Sequence, residues 1–280
     1  MAKVQIGSKP VGSKVLLKVQ GRPRSFIIVR QENLSAIYDE SCNGTWLLME
    51  DVCDERKWNN SNYNNYAGST IHIYLNREFL SQFDSGIQKA IKQVRVPYRA
   101  GAGYDKTISS GVHGLSTKIF LLSAEELGFQ REQMPTREGE TLTYFRGCSP
   151  DGTDDKRIAK LNNIRAVAWY TRTPYCHPAS GVEDVFSVNY QGTCLATSCA
   201  YGSTGYGIRP ALVLPPTLMV ADDGTVITNI APSVPSSITL PSTIKGGASC
   251  SVSWSAATDP DGNLEGYIVE RSYNGGSSWS

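Results

Sequence analysis

An arginine lies inside each of two strand-like segments, Trp169-Tyr170-Thr171-Arg172-Thr173-Pro174 and Tyr206-Gly207-Ile208-Arg209-Pro210-Ala211-Leu212. A charge in apolar surroundings must be paired or hydrogen-bonded, because its burial is otherwise costly. We therefore expect Arg172 and Arg209 to have structural roles in holding nearby loops. Trp169 is expected in the core, as are the other tryptophans of this part of the chain, Trp46 and Trp58.

The segments before these motifs alternate between strand and helix patterns. Residues 15–19 and 25–29 predict a hairpin with a turn at 21–23, and residues 45–49 predict a further buried strand. Ile71, Leu75, Phe79 and Phe83 recur every four residues, which predicts a helix over about 70–83. Capping-box patterns predict two further short helices, from Ser85 with Gln88 and from Ser123 with Glu126.

An asparagine-rich run, residues 58–66, separates these strands from the first helix. Asparagine favours turns because its side chain bonds to the nearby backbone. We predict an irregular surface loop there, and we expect His72 on the following helix to be a surface residue.

Composition excludes several classes of function. The 27 basic residues almost balance the 26 acidic ones, so no strong field attracts nucleic acid or an anionic membrane. No run approaches the roughly 20 apolar residues that span a bilayer, so membrane insertion is not expected. The amino terminus has no signal-peptide pattern. We expect synthesis in a bacterial cytoplasm.

The composition changes near residue 229 to a proline-containing linker, residues 231–235. Beyond it, strands at 251–254 and 267–271 flank the turn at 259–263, and this pattern resembles the B–C region of a fibronectin type III domain. Such a sandwich has about 100 residues. We therefore expect residues 230–280 to be its N-terminal part and the natural protein to continue.

The helical region 69–91, the strand 119–123 and the two arginine segments together resemble the DUF6273 domain, found in gut Firmicutes and their phages. The usual Trp-Trp-Leu-Arg-Ser-Pro pattern is altered here at 169–174, whereas the Gly-Val-Arg-Pro-Ala-Leu pattern is nearly intact at 207–212. The resemblance implies a C-type-lectin-like fold. The expected architecture is an α+β C-type-lectin-like domain over 1–229, followed by an all-β, immunoglobulin-like (fibronectin type III) sandwich over 230–280 that is incomplete at its C-terminus.

In domains of that fold, the ligand surface lies on loops between the tryptophan motif and the final Gly-Arg strand, which implies residues 175–206 here. Tyrosine among small polar residues is typical of binding surfaces. The ligand-binding candidates are Tyr175, His177, Asn189, Tyr190, Gln191, Tyr201 and Thr204. The alternative is that some of these tyrosines are half-buried on strands with only the hydroxyl in water.

We expect no catalytic residue, metal or cofactor. Cys194 and Cys199 are similar in placement to the copper-binding pair of formylglycine-generating enzymes, but the residues that follow do not match; a disulfide or two buried thiols is the alternative. Asp151, Asp154 and Asp155 fit no calcium-loop spacing.

These observations favour a non-enzymatic phage virion protein, on tail, fibre or head, that binds a host-surface glycan or protein and assembles with other virion proteins as a homo-oligomer or repeated array. The alternatives are a bacterial surface adhesin and a ligand-free virion decoration protein. An enzyme related to formylglycine generation comes last.

Overall fold

The computed structural model describes residues 3–31, 35–61, 63–100, 104–135, 137–176, 184–197, 205–228, 232–241, 249–259, 264 and 266–279. The chain divides into two compact units, Met1–Ile227 and Thr228–Ser280. The strands, in chain order, are β1 Val4–Gln5, β2 Lys14–Val19, β3 Arg22–Arg30, β4 Thr45–Met49, β5 Asp54–Arg56, β6 Val94–Val96, β7 Tyr98–Arg99, β8 Ile108–Ser109, β9 Leu115–Thr117, β10 Ile119–Phe120, β11 Ala159–Leu161, β12 Arg165–Val167, β13 Trp169–Pro174, β14 Val185–Val188, β15 Cys194–Thr197, β16 Tyr206–Ile208, β17 Ala211–Leu214, β18 Met219–Val220, β19 Val226–Ile227, β20 Ile238–Thr239 and β21 Ser253–Trp254.

Helices are few and short. The α-helices are α1 Thr70–Tyr74 and α2 Ser85–Ala90, and α1 continues through a π-helical turn, Leu75–Phe79, and a 3-10 turn, Leu80–Gln82. Further 3-10 turns span Ile6–Ser8, Glu40–Cys42, Tyr66–Gly68, Gly111–His113, Thr143–Phe145 and Asp155–Arg157. The structure is thus made mostly of small β-sheets. Within the described residues, no helix is long and apolar enough to cross a membrane.

An antiparallel sheet with the order β10-β17-β4-β3-β2 forms the centre of the first unit. Its hairpin β2–β3 was predicted, but the turn lies one residue earlier than expected: Gln20 and Gly21 have positive φ, as a two-residue hairpin turn requires, and Arg22 already pairs with Val19. Trp46 lies in the middle strand and is buried, as predicted.

A second five-stranded sheet, β15-β14-β13-β16-β5, carries both arginine segments. Every residue of β13 is buried, so this strand has no solvent face. Strand β16 runs parallel to β13, with Gly207 opposite Trp169. A Cβ on Gly207 would lie 2.5 Å from Val52 Cγ1, so glycine is required for this close approach.

The predicted helix over 70–83 is confirmed, since α1 and its continuation run from Thr70 to Gln82. The Ser69 hydroxyl caps it by accepting from His72 N at 3.1 Å. The second predicted short helix is confirmed as α2, but its capping box at Ser85 is wrong: Asp84 precedes α2, and Gln88 Nε2 donates to Phe83 O instead. The box at Ser123 does form, but the turn that follows it does not become a helix.

The asparagine-rich run is irregular, as predicted, and Asn60, Ser61 and Tyr63 are exposed, but the run is not a surface loop throughout. Trp58, Asn64 and Tyr66 are buried, and Trp58 Nε1 donates to Thr171 O at 3.1 Å. His72, predicted as a surface residue, is half-buried, with its ring edge-on to Tyr66. The surface prediction is therefore right for part of the run only, because its buried members bond to residues far away in the sequence.

In the second unit, β20 and β21 pair antiparallel. The Trp254 ring contacts Tyr267 at 5.4 Å. The strand predicted over 267–271 does not form within the described residues, and Ile268 there is 91% exposed.

Candidate functional site

The buried face of β13 is organised by Arg172. Its guanidinium donates to Glu126 through Nη1–Oε2 (2.6 Å) and Nη2–Oε1 (2.8 Å), and its other bonds go to the carbonyls of Pro97, Leu121 and Glu138. Burial alone would lower the pKa of Arg172, but the Glu126 carboxylate raises it above its usual value. Arg172 is thus paired and hydrogen-bonded, as a buried charge must be, which is consistent with the structural role predicted for it.

Glu126 also accepts from the Tyr38 hydroxyl at 3.0 Å and from Ser123 N at 2.9 Å. Its neighbour Glu138 accepts from the Thr173 hydroxyl. Burial raises the pKa of Glu138 to about 7, although Arg172 opposes the shift. This network joins β13 to the segments around residues 38, 123 and 138 through buried hydrogen bonds.

A second buried network holds the beginning of β14. Asn64 Nδ2 donates to Asp184 O at 2.8 Å, and Arg99 Nη2 donates to Asn64 O at 3.0 Å. Tyr175 N donates to the same Asp184 carbonyl at 2.9 Å. The carbonyl that Asn64 holds at one side of the 175–184 segment is therefore also bonded to Tyr175 at the other side. Sequence reasoning missed Asn64, and the nearest signal was the pair of large aromatic residues, Trp58 and Tyr66, that bracket it.

The other end of β14 leads into a tight turn, residues 189–193, which joins it to β15. Asn189 Oδ1 accepts from Gln191 N and Thr193 N, each at 2.9 Å. Gly192 has a φ of +81°, and a Cβ there would lie 2.3 Å from Asp154 O. The turn is therefore fixed in shape and packs against the 154 loop. Its tip leaves Tyr190 58% exposed.

The structure does not gather the described ligand-binding candidates at one place. Asn189, Tyr190 and Gln191 share the 189–193 turn, where Asn189 organises the backbone and the other two are exposed. Tyr175 is half-buried against Phe186 at 5.2 Å and lies beside Asp184, at the opposite end of β14 from the turn, roughly 17 Å away at about 3.3 Å per residue. His177, Tyr201 and Thr204 lie outside the described residues.

The cysteine and aspartate candidates that the structure describes are Cys194, Asp151, Asp154 and Asp155. Burial raises the pKa of Cys194 to about 12, so its sulfur is a thiol at neutral pH; Cys199 lies outside the described residues. Asp151 pairs with Arg131 at 3.1 Å, and Asp154 accepts from Lys156 N at 3.0 Å. Among the described residues, no group of three or more His, Cys, Asp or Glu side chains could hold a metal ion.

Arg209 differs from Arg172. It lies between β16 and β17, is 1% exposed, and stacks over Trp169 at 5.0 Å. Its Nε donates to Met49 O at 2.9 Å and Nη1 reaches Arg157 O at 3.4 Å, but no carboxylate of a described residue lies within 4 Å. The prediction that it would be hydrogen-bonded is confirmed, and its charge is not neutralised by a direct ion pair.

Comparison with known proteins gives one match. A family model described as Domain of unknown function (DUF6273) matches residues 43–216, more than half of the chain. That range contains both arginine segments, the 189–193 turn and, apart from Tyr38, the two buried networks. No curated protein and no solved structure matches.

Proposed function

The chain belongs to the DUF6273 family, and on that premise we propose that it is a non-enzymatic binding protein that recognises a glycan or protein on a host cell surface. The observation that carries the proposal is an exposed aromatic side chain, Tyr190, on a turn that is held rigid from below. A rigid aromatic anchor contributes large contact area at low conformational cost.

The rigidity of the turn has two sources. Asn189 and Gly192 fix its backbone, and the turn packs on Asp154. The strand that leads into the turn, β14, is hydrogen-bonded to β13, and the Arg172–Glu126 pair holds β13. Binding sites built on such supported elements keep their geometry without a large ordering cost.

The non-enzymatic part of the proposal is supported by the chemistry of the described thiols. Thiolates, not thiols, are nucleophiles. Burial raises the pKa values of Cys42 and Cys194 to about 12 and that of Cys148 to about 11. These groups are protonated at neutral pH and are poor candidates for covalent catalysis.

The wider setting follows from the resemblance to phage and Firmicutes proteins. We place the chain on a virion surface, with a C-type-lectin-like unit for recognition and a fibronectin-type unit that spaces or anchors it among other virion proteins. Attachment through many copies, as a homo-oligomer or array, would turn weak single-site binding into firm adhesion through effective concentration.

A bacterial surface adhesin is the second candidate, and a ligand-free decoration protein is the third. The same exposed turn would serve an adhesin, so the two differ in the particle or cell that carries the chain. A decoration protein would need no exposed anchor at all.

The test is the binding of the fluorescently labelled chain, displayed in many copies on beads, to a panel of Gram-positive gut bacteria. We expect binding to selected strains and a loss of about tenfold or more for Tyr190→Ala, because interface aromatics carry much of the binding free energy. Tyr175→Ala and Tyr201→Ala test the two remaining tyrosine candidates.

Tyr63→Ala is the matched control for Tyr190→Ala. Tyr63 is 56% exposed, nearly the same as Tyr190, but it adjoins Asn64 at the opposite end of β14. A loss confined to the Tyr63 variant would move the site to that end of the sheet. If the chain binds none of the strains, the ligand-free decoration protein is favoured.

A further inference from the structure

A cleft of about 360 Å³ opens beside Arg209, a size within the usual range for small-ligand sites. The β2–β3 hairpin, the 3-10 turn at 143–145 and residues 155–163 contribute to its walls. Its basic side chains are Lys14, Lys156, Lys160 and Arg209. The aromatic ring of Tyr144, which is half-buried, forms part of the same wall.

Arg209 is an unusual wall residue because it is almost entirely buried. Its Nη2 has no acceptor among the described residues, and its Nη1 makes only the long 3.4 Å contact to Arg157 O. Burial lowers the pKa of Arg209 to about 10, which still leaves the guanidinium charged at neutral pH. The two Nη groups can therefore offer a fork of donors to an oxyanion.

The acidic side chains of the cleft compensate this charge only in part. They are Glu50, Asp51 and Asp155. Glu50 is paired with Lys14, and Asp51 accepts from the backbone of Lys160 at 3.0 Å. Four basic side chains thus face three acidic ones, and the most buried of the seven has no carboxylate within ion-pair distance in the described part of the chain.

The cleft adjoins the candidate recognition turn. The backbone of Asp154 lies directly against Gly192, and the next two residues, Asp155 and Lys156, line the cleft. Lys156 Nζ also lies 5.4 Å from the centre of the Tyr144 ring. A ligand held at Arg209 would therefore lie close to the 189–193 turn.

We propose that this cleft binds an anionic sugar, whose carboxylate or phosphate oxygens accept hydrogen bonds from Arg209 while Tyr144 packs against the sugar ring. Lys156 and Lys160 add attraction at the rim. The inference rests on the proposed function for the source of its ligand, a cell-surface glycan, and adds the chemical class.

Calorimetric titration of the whole chain tests it without cells. Galacturonate provides the carboxylate and glucose 6-phosphate provides the phosphate, and galactose and glucose are their neutral counterparts. We expect at least one acidic sugar to bind about tenfold or more tightly than its neutral counterpart, since charge-assisted bonds supply that difference. Which acid binds identifies the oxyanion.

Arg209→Gln should remove this binding, and Lys156→Ala and Tyr144→Ala should each weaken it several-fold. Lys18→Ala is the matched control, because Lys18 is exposed on the same strand as Lys14 but does not line the cleft. If Arg209→Gln fails to fold, as near-ultraviolet circular dichroism would reveal, the Lys156→Ala and Tyr144→Ala variants decide.

Three results would overturn the proposal. They are no binding of either acidic sugar at millimolar concentration, equal binding of the neutral sugars, or an affinity that is unchanged in both Lys156→Ala and Tyr144→Ala. Acid binding in solution without any cell binding would leave the cleft standing and contradict only the cell-surface source. Cell binding without binding of either acidic sugar would contradict the cleft proposal and leave the proposed cell-surface function standing.

Discussion

Replacing Glu126 by glutamine removes the negative charge opposite Arg172 while keeping the size of the side chain. Both residues are 0% exposed, and the two side chains share a bidentate contact at 2.6 and 2.8 Å. Breaking a buried ion pair from one side costs about 3–5 kcal/mol, because the remaining charge stays buried. Glutamine also presents an amide N–H₂ in place of one carboxylate oxygen, so it loses the acceptor either of the Tyr38 hydroxyl, which bonds to Oε1, or of Ser123 N, which bonds to Oε2.

Urea unfolding followed by tryptophan fluorescence measures this loss. A free energy of unfolding of about 5–15 kcal/mol is usual for a domain, so the variant should unfold at a much lower urea concentration. Glu55→Gln is the control, because the Glu55–Arg165 pair is exposed and should contribute about 1 kcal/mol or less. A cost below about 1 kcal/mol for Glu126→Gln would refute the view that this pair supports the sheet.

Three further variants test other parts of the scaffold. Glu138 has a folded pKa of about 7, above its usual 4.5, so the folded state holds a proton that the unfolded state loses, and the free energy of unfolding falls as pH rises between these values. Glutamine does not titrate, so in urea titrations the stability of Glu138→Gln relative to the wild type should increase over that range. His72 has a folded pKa of about 4, below its usual 6.5, so the unfolded state binds a proton first and the free energy of unfolding falls as pH falls from 6.5 to 4. Phenylalanine does not titrate, so His72→Phe should become more stable relative to the wild type over that pH range in the same assay. Gly207→Ala should cost about 1–3 kcal/mol in thermal unfolding because its Cβ meets Val52, whereas Gly68→Ala, with nothing within 4 Å, should change stability by less than about 0.5 kcal/mol.

The elements predicted correctly from sequence are those whose cause is local. The β2–β3 hairpin follows from alternation and a turn within one short segment, and the helical run from Thr70 follows from a four-residue period. The Ser123–Glu126 box shows the limit of local reasoning. Its hydrogen bonds form, but the Glu126 carboxylate is also committed to Arg172, 46 residues away, and Gly128 with φ +83° ends the turn.

The candidate site could be predicted only in part, because its support comes from distant residues. Asn64 bonds to Asp184, 120 residues later, and nothing in the asparagine-rich run marks it as a buried residue. The exposure of Tyr190 fits its prediction as a surface residue, but only the register of β14 shows that Tyr175 lies at the other end of the strand. The cleft beside Arg209 joins residues 12–14, 50–51, 144 and 155–163, whose proximity has no sequence signature.

Arg172 and Arg209 carry the same sequence signal, a charge inside an apolar segment, and the same expectation was drawn for both. Arg172 has two carboxylate contacts and three carbonyl acceptors, so its donors are committed within the fold. Arg209 has two carbonyl acceptors and no direct carboxylate partner among the described residues, while it lines a cleft with further basic groups. A buried charge without a direct ion pair is retained at a cost in stability, and that cost is understandable if an external anion completes the site. Substitution of Arg172 should therefore lower the free energy of unfolding, whereas substitution of Arg209 should chiefly lower the affinity for the ligand.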